Sequence, residues 1–378
     1  MNIPFGKPDL GTEEITLIGE VLQSGILVHG NKTETFEQNF KEFTSTQNAV
    51  AVSSCTAGLH LLYFALGIGI GDEVVVPAQT HVATVHAVEL VGATPVFVDC
   101  SIHDGNMDVN EIEKVITSKT KAVSVVHFLG YPARVDKISK LCRDKGLYLI
   151  EDCALAIGST INGKHVGTFG TAGVFSFYPV KHFTSGEGGM IITENEDLAN
   201  RLSRLRAFGV DRDHRHRNSP GGYDVSDLGF NYRMSEIHAA IGIAQLRKLP
   251  KFLEARRKNN ARLIHELTNG LDEITYIGQQ ISKDIETSPY AFSFIFPKER
   301  YNREQVWKQL REFGIGTSVY YPHPVPKLAW YSKRYPRQQK FANANTISYE
   351  SLAFPVGPHL NDGDVDYIAS KLIEIIRT

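Results

Sequence analysis

The chain has 378 residues, with 40 Lys+Arg against 42 Asp+Glu and a net charge of -2. That length suits roughly two to three domain-sized units, or one large α/β unit with a smaller companion. The near balance of charge provides no basic field for nucleic acid or an anionic membrane surface, so any phosphate recognition has to be local.

The opening MNIPFGKPDL has no positive region followed by an apolar core, and so does not read as a signal peptide. The most apolar stretch, residues 59–70, contains His60 and is too short to cross a bilayer. A soluble, cytoplasmic protein with neither a membrane nor a nucleic-acid partner is expected. Cys55, Cys100, Cys142 and Cys153 show no CxxC spacing, and three of them lie in or beside apolar runs. Buried thiols are expected, rather than disulfides or a zinc site.

In chain order, helical patterns at 12–23 and 33–43 come first. From about residue 49 to 200, short β-rich runs follow: AVAVSS (49–54), EVVVPA (73–78), TPVFVDC (94–100), KAVSVVHF (121–128), LYLIEDC (147–153), AGVFSF (172–177) and MIIT (190–193). Amphipathic stretches at 57–66, 81–91, 109–116 and 134–145 separate most of them. The alternation predicts an α/β fold whose large domain has a mainly parallel seven-stranded sheet, covered by helices on both faces. Ligands of such sheets bind outside the carboxyl ends of the strands. After residue 230 the pattern gives an Ala-rich helix at 234–246 and a charged one at 250–267. A strand at 291–296, a helix at 303–313, a strand at 316–321 and a closing helix at 365–376 follow. We divide the chain into a large domain, 1–249, and a smaller C-terminal α+β domain, 250–378.

Four features fall where strands end. In SSCTAGLH, residues 53–60, the hydroxyls of Ser53, Ser54 and Thr56 and the first amides of a helix form either an anion site or a plain N-cap. Asp152 ends a buried run, where a carboxylate needs a cation or else caps a turn. In FSFYPVKHFTSGEGGM, residues 175–190, Lys181 stands among apolar residues, hydroxyls and glycines. A lysine amine attacks a carbonyl only when neutral, so its pKa has to be lowered, by Phe175, Phe177, Tyr178 and Pro179 or by His182 as a neighbouring cation. The same letters fit a strand ending in a Gly-rich turn with Lys181 in solvent. In LGFNYRMSEIHAAIG, residues 228–242, Asn231, Tyr232 and Arg233 precede a helix that Ser235 caps, which also suits a plain loop feeding a packed helix. A lysine, an acid and a Ser/Thr cradle are together the parts of a pyridoxal phosphate site.

Over nearly its whole length the chain resembles the DegT/DnrJ/EryC1/StrS sugar aminotransferases, fold type I pyridoxal phosphate enzymes. The matching runs are GDEVVVPAQTHVATVHAVELVGATPVFVD, TKAVSVVHFLGYP, IEDCALAIGS, GTFGTAGVFSFYPVKHFTSGEGGMIIT and LGFNYRMSEIHAAIGIAQL, in the family's order. The resemblance implies that Lys181 carries the Schiff base, that Asp152 pairs with the pyridine nitrogen, and that Thr56, Ala57 and Ser176 hold the phosphate. It further implies that Asn231 reaches the cofactor of the other subunit in a homodimer, and that His81 stacks on the cofactor ring. An amino acid donor, glutamate, and a nucleotide-linked keto sugar are the implied substrates. The chain departs from the family pattern where Leu155 replaces a Gln or Glu, where Ser54-Cys55 replaces Asn-Gly, and where Gly58 replaces Ala. A histidine in place of the lysine would mark a keto-sugar 3-dehydratase, but counting from Ser176 puts Lys181 at that position. A non-catalytic regulator of the same fold would need a DNA-binding unit for which the short N-terminal segment has no room. On the substrate side, His323 and Arg212 are the candidates. The alternating charges of residues 211–220 read as a solvated or anion-contacting loop, not a metal site.

Overall fold

The computed structural model describes residues 2–211, 222–336 and 340–377. Its main sheet contains β1 (Asn48–Val52), β2 (Glu73–Pro77), β3 (Thr94–Val98), β4 (Thr120–Val126), β5 (Tyr148–Asp152), β8 (Ala172–Ser176) and β9 (Gly189–Thr193), in the order β1-β9-β8-β5-β4-β2-β3. Two short strands, β6 (Thr160–Ile161) and β7 (Lys164–His165), form a separate small sheet with β10 (Ile285–Glu286). Only β9 runs antiparallel to its neighbours in the main sheet. The other six therefore place their carboxyl ends on one edge, where residues 53–56, His81, Asp152 and Ser176 all fall.

The helices follow from apolar faces that this sheet has to cover. Helix α1 is Thr12–Ser24, α2 Asn31–Thr44, α3 Cys55–Ala65, α4 Val82–Leu90, α5 Val109–Val115, α6 Val135–Lys145 and α7 Glu196–Leu205. One core packs α3 and α4 on a face of the sheet through Leu59, Leu62, Val85 and Val88. On the other side Phe36, Phe40, Phe175, Phe177 and Phe183 interlock edge-on or stacked. All four cysteines are buried and free, as expected.

Two expectations need correction. The helices predicted at 234–246 and 250–267 are one element, α8 (Glu236–Gly270), with Pro250 inside it. Proline loses one backbone hydrogen bond, but α1, α2 and the helix Asp362–Arg377 pack along α8 and hold it together. Helix α8 carries the large-unit core as far as Leu253 and the C-terminal core from Leu263. The strand predicted at 316–321 is absent: Ile315 bridges Ile3 and Ser318 bridges Ala353, so this stretch changes partner before a ladder can form. The C-terminal sheet is the antiparallel pair β11 (Ala291–Ile295) and β12 (Ser351–Pro355). Among the described residues no helix is long and apolar enough to cross a membrane.

Glu151, one residue before Asp152, is fully buried and explains how this edge is held. Its carboxylate accepts from the amides of Gly167 (2.7 Å), Phe169 (2.8 Å) and Gly170 (2.8 Å) and from His127 Nε2 (3.2 Å). His127 Nδ1 accepts from Ala133 N, so the ring is the Nε2–H tautomer. Nearby, His165 is buried and neutral: Nε2 accepts from Gly158 N, and burial pulls the imidazole down to about 4. Unfolding restores the ordinary value near 6.5, so between these two pH values the unfolded chain binds the extra proton. Acidification from about pH 6.5 to about 4 should therefore cost up to about 3 kcal/mol of stability, and a His165→Gln variant should lose that part of the pH dependence in urea titrations.

Candidate active site

The site is built from strand ends, beginning with β5. Asp152 is 5% exposed. Its Oδ2 accepts from Thr84 Oγ1 at 2.8 Å and its Oδ1 from Ala154 N at 3.0 Å. Because Thr84 donates to the acid, Thr80, 2.8 Å away, must donate to Thr84. The Cys55 thiol lies 4.0 Å from Oδ1. Among the described residues no cation stands within ion-pair distance of Asp152. A buried carboxylate with only neutral donors is a costly arrangement that a protonated ring nitrogen would offset.

Lys181 belongs to the same electrostatic cluster. Burial draws its ammonium below the ordinary lysine value, while Cys55 and Asp152 pull the other way. The lowering expected from the sequence is present, but its source differs. Phe175 and Phe177 point into the core behind the sheet, and Tyr178 is exposed. Lys181 Nζ instead sits 5.7 Å from the centre of the Tyr290 ring. Nor does His182 act as a neighbouring cation. It is buried, its Nε2 donates to Ser288 O at 2.8 Å, and burial holds it well below the usual imidazole value, so it is neutral.

His81 is the N-cap of α4, with Nδ1 accepting from Ala83 N at 3.2 Å. That contact leaves the proton on Nε2. Burial and then the Lys181 charge lower its pKa, opposed by Asp152. The ring centre lies 5.5 Å from that of Tyr321. At the first turn of α3, Ser54 Oγ accepts from Ala57 N at 3.0 Å, so the N-cap reading of this motif holds and the Ala57 amide is already engaged. Helix α3 approaches the sheet so closely that a Cβ on Gly189 would stand 2.6 Å from Cys55 N. Ser176 pairs with Gly189 on the adjoining strand, which puts its side chain at the same edge. Gly58 lies against Val174, Val52 and Ile191, the packing reason for its small size. Leu155 is buried in the core.

The remaining candidates are less central. Asn231 is exposed, on a segment bridged to Ala207 whose Tyr232 carbonyl accepts from Ser53 N. His323 is exposed and its Nδ1 lies 3.1 Å from Tyr349 Oη. Arg212 lies outside the described residues. Sequence reasoning missed Thr84, Tyr290 and Tyr321, and marked Cys55 only as a buried thiol and a departure from the family pattern. Only Tyr321 had a signal, the YYPH run; Gln79 Nε2 donates to Tyr320 O and Val325 N to Ala78 O, tying that run to the end of β2.

The DegT/DnrJ/EryC1/StrS aminotransferase family model matches residues 8–373. The chain belongs to this family. It is 37% identical to the GDP-perosamine synthase of Escherichia coli O157:H7, covering 98% of each chain. It is also similar to Helicobacter pylori PseC, an aminotransferase involved in the biosynthesis of pseudoaminic acid (25% identity, TM-score 0.93, all of both chains). S. venezuelae DesV, solved in complex with a ketimine intermediate, gives 30% identity and a TM-score of 0.89 over 97% and 95% of the two chains. This family member is a sugar aminotransferase, and pyridoxal phosphate is its cofactor. The unpaired Asp152 and the lowered Lys181 fit that group. Replacing Thr84 with Val, which keeps the volume and removes the donor to Asp152, should weaken cofactor binding about tenfold in a fluorescence titration.

Proposed function

We propose that this sugar aminotransferase takes its amino group from glutamate and delivers it to the ketone of a nucleotide-linked 3- or 4-keto deoxy sugar. The carrying observation is the buried, cation-free Asp152 in one electrostatic cluster with a desolvated Lys181. The relative named GDP-perosamine synthase supports a nucleotide-linked substrate. Bound pyridoxal phosphate supplies the electron sink and carries the amino group between the two substrates.

The chain's own residues do the rest. Lys181 Nζ anchors the cofactor and, once released, moves a proton to and from the substrate carbon; its lowered pKa favours the neutral, basic form. The Asp152 carboxylate, oriented by Thr84 and Ala154, holds the proton on the ring nitrogen. Thr56, Ala57 and Ser176 hold the phosphate at the start of α3, where backbone amides and the helix dipole favour an anion; Ala57 does so by exchanging its Ser54 contact. His81, fixed by its cap contact, would stack on the cofactor ring, with Tyr321 beside the imidazole. His323 and Arg212 serve the sugar nucleotide. The dehydratase reading loses support because His182 is turned toward Ser288 O.

The working unit we propose is a homodimer in which Asn231 reaches the cofactor phosphate of the other subunit. Its exposure, and that of Phe208 (50%), Val225 (53%) and Leu228 (75%) around it, agrees with a covered face. Two experiments test the scheme. Lys181→Ala should abolish turnover while retaining noncovalent cofactor, and adding glutamate to the wild type should bleach the visible band; turnover in the variant would overturn the role of Lys181. Mixing inactive Lys181→Ala and Asn231→Ala subunits should restore activity, since each mixed dimer holds one intact site; no recovery on confirmed subunit exchange would remove Asn231 from the shared site.

A further inference from the structure

Beside Lys181 the molecule holds a second charged feature that the mechanism above does not use. Arg256, on α8, is only 6% exposed, yet among the described residues it has no carboxylate within ion-pair distance. Its Nη1 donates to the carbonyl of Tyr290 at 2.9 Å, with that of Pro289 at 3.5 Å, and its Nε has no hydrogen-bond partner. Burial draws the guanidinium down to about 10, so it is still charged at neutral pH. A buried cation satisfied by carbonyls alone lacks its counter-ion.

Two adjoining cavities open on this group, and Lys7, Pro179, Lys181 and Arg256 line both. His359 borders the first, with a buried Nδ1 that has no partner. The groups of opposite character are Asp9, exposed on the outer rim, and the unpaired Nδ1 of His182. Each cavity has room for about one water-sized group, so the two together match the two oxygens of a carboxylate and exclude a nucleotide. Tyr290 neighbours both Arg256 and the reacting amine: Lys181 Nζ lies 5.7 Å and Arg256 Cζ 5.8 Å from the centre of its ring.

We propose that this cavity is a carboxylate site in which Arg256, aided by Lys7, seats the side-chain carboxylate of a dicarboxylic amino donor. The assignment of the donor rests on the glutamate reading above. The donor's amine has to take the place of Lys181 Nζ, and of its two carboxylates the one on the side chain has the longer reach from that atom. The side-chain carboxylate, several bonds further out, reaches Arg256, where the fork of N–H groups matches its two oxygens.

Glutarate, which has both carboxylates and no amine, is the probe. Calorimetric titration of the cofactor-loaded enzyme should show glutarate binding that weakens about tenfold or more in Arg256→Met and by a smaller factor in Lys7→Ala. Lys7 is exposed, so its variant remains informative if Arg256→Met fails to fold. In the amine-donating half-reaction, Arg256→Met should raise KM for glutamate and leave alanine unchanged. Absence of glutarate binding to the wild type, or equal binding to wild type and Lys7→Ala together with any folded Arg256 variant, overturns the site. Arg256-dependent glutarate binding without reaction of glutamate keeps the carboxylate site and instead removes glutamate as the donor.

Discussion

Everything at this site depends on one buried carboxylate at the end of a central strand. Asp152 sits where β5 leaves the sheet, and its position is fixed from both sides of the chain. Immediately before it, Glu151 is locked by three backbone amides and His127. Immediately after it, the Ala154 amide folds back onto Oδ1. The acid can therefore neither swing into solvent nor collapse into the core. Its charge is held by neutral donors, an arrangement that favours arrival of a cation from the open edge.

Around that fixed point the sheet's direction does the gathering. Six of seven strands point the same way, so side chains far apart in sequence share one edge. The single reversed strand, β9, begins with Gly189, which stands between Val52 and Ser176 and allows α3 to start almost on the sheet. This close approach puts the first turn of α3, with its free dipole end, beside the acid. The lysine arrives from a tight turn after β8, where the Lys181 amide donates to Tyr178 O. Residues late in the chain close the far side with Tyr290, Tyr320 and Tyr321, the first two joined at 2.9 Å through their hydroxyls.

Much of this was legible in the sequence because its causes are local. Strand ends, the Ser235 cap and the burial of the cysteines follow from short-range pattern, and Lys181 and Asp152 follow from position within that pattern. What failed did so for reasons outside any window. Pro250 suggested a break in a helix that neighbouring helices keep whole, and residues 316–321 have strand letters but divide their partners between Ile3 and Ala353. Of the aromatic residues beside Lys181 in sequence, Phe175 and Phe177 turned out to belong to another core and Tyr178 to be exposed.

The sequence by itself determined the fold class, since alternating strand and helix periods encode it directly; the likeness of its motif runs identified the family, and Lys181 and Asp152 stood out by their places at strand ends. Only the tertiary structure decided what surrounds them. Thr84 meets Asp152 across 68 positions, and Tyr290 meets Lys181 from far along the chain. His182, one residue from the lysine, is turned away to Ser288. Desolvation and hydrogen bonding depend on which atoms are neighbours in space, and the packing of distant segments alone sets that.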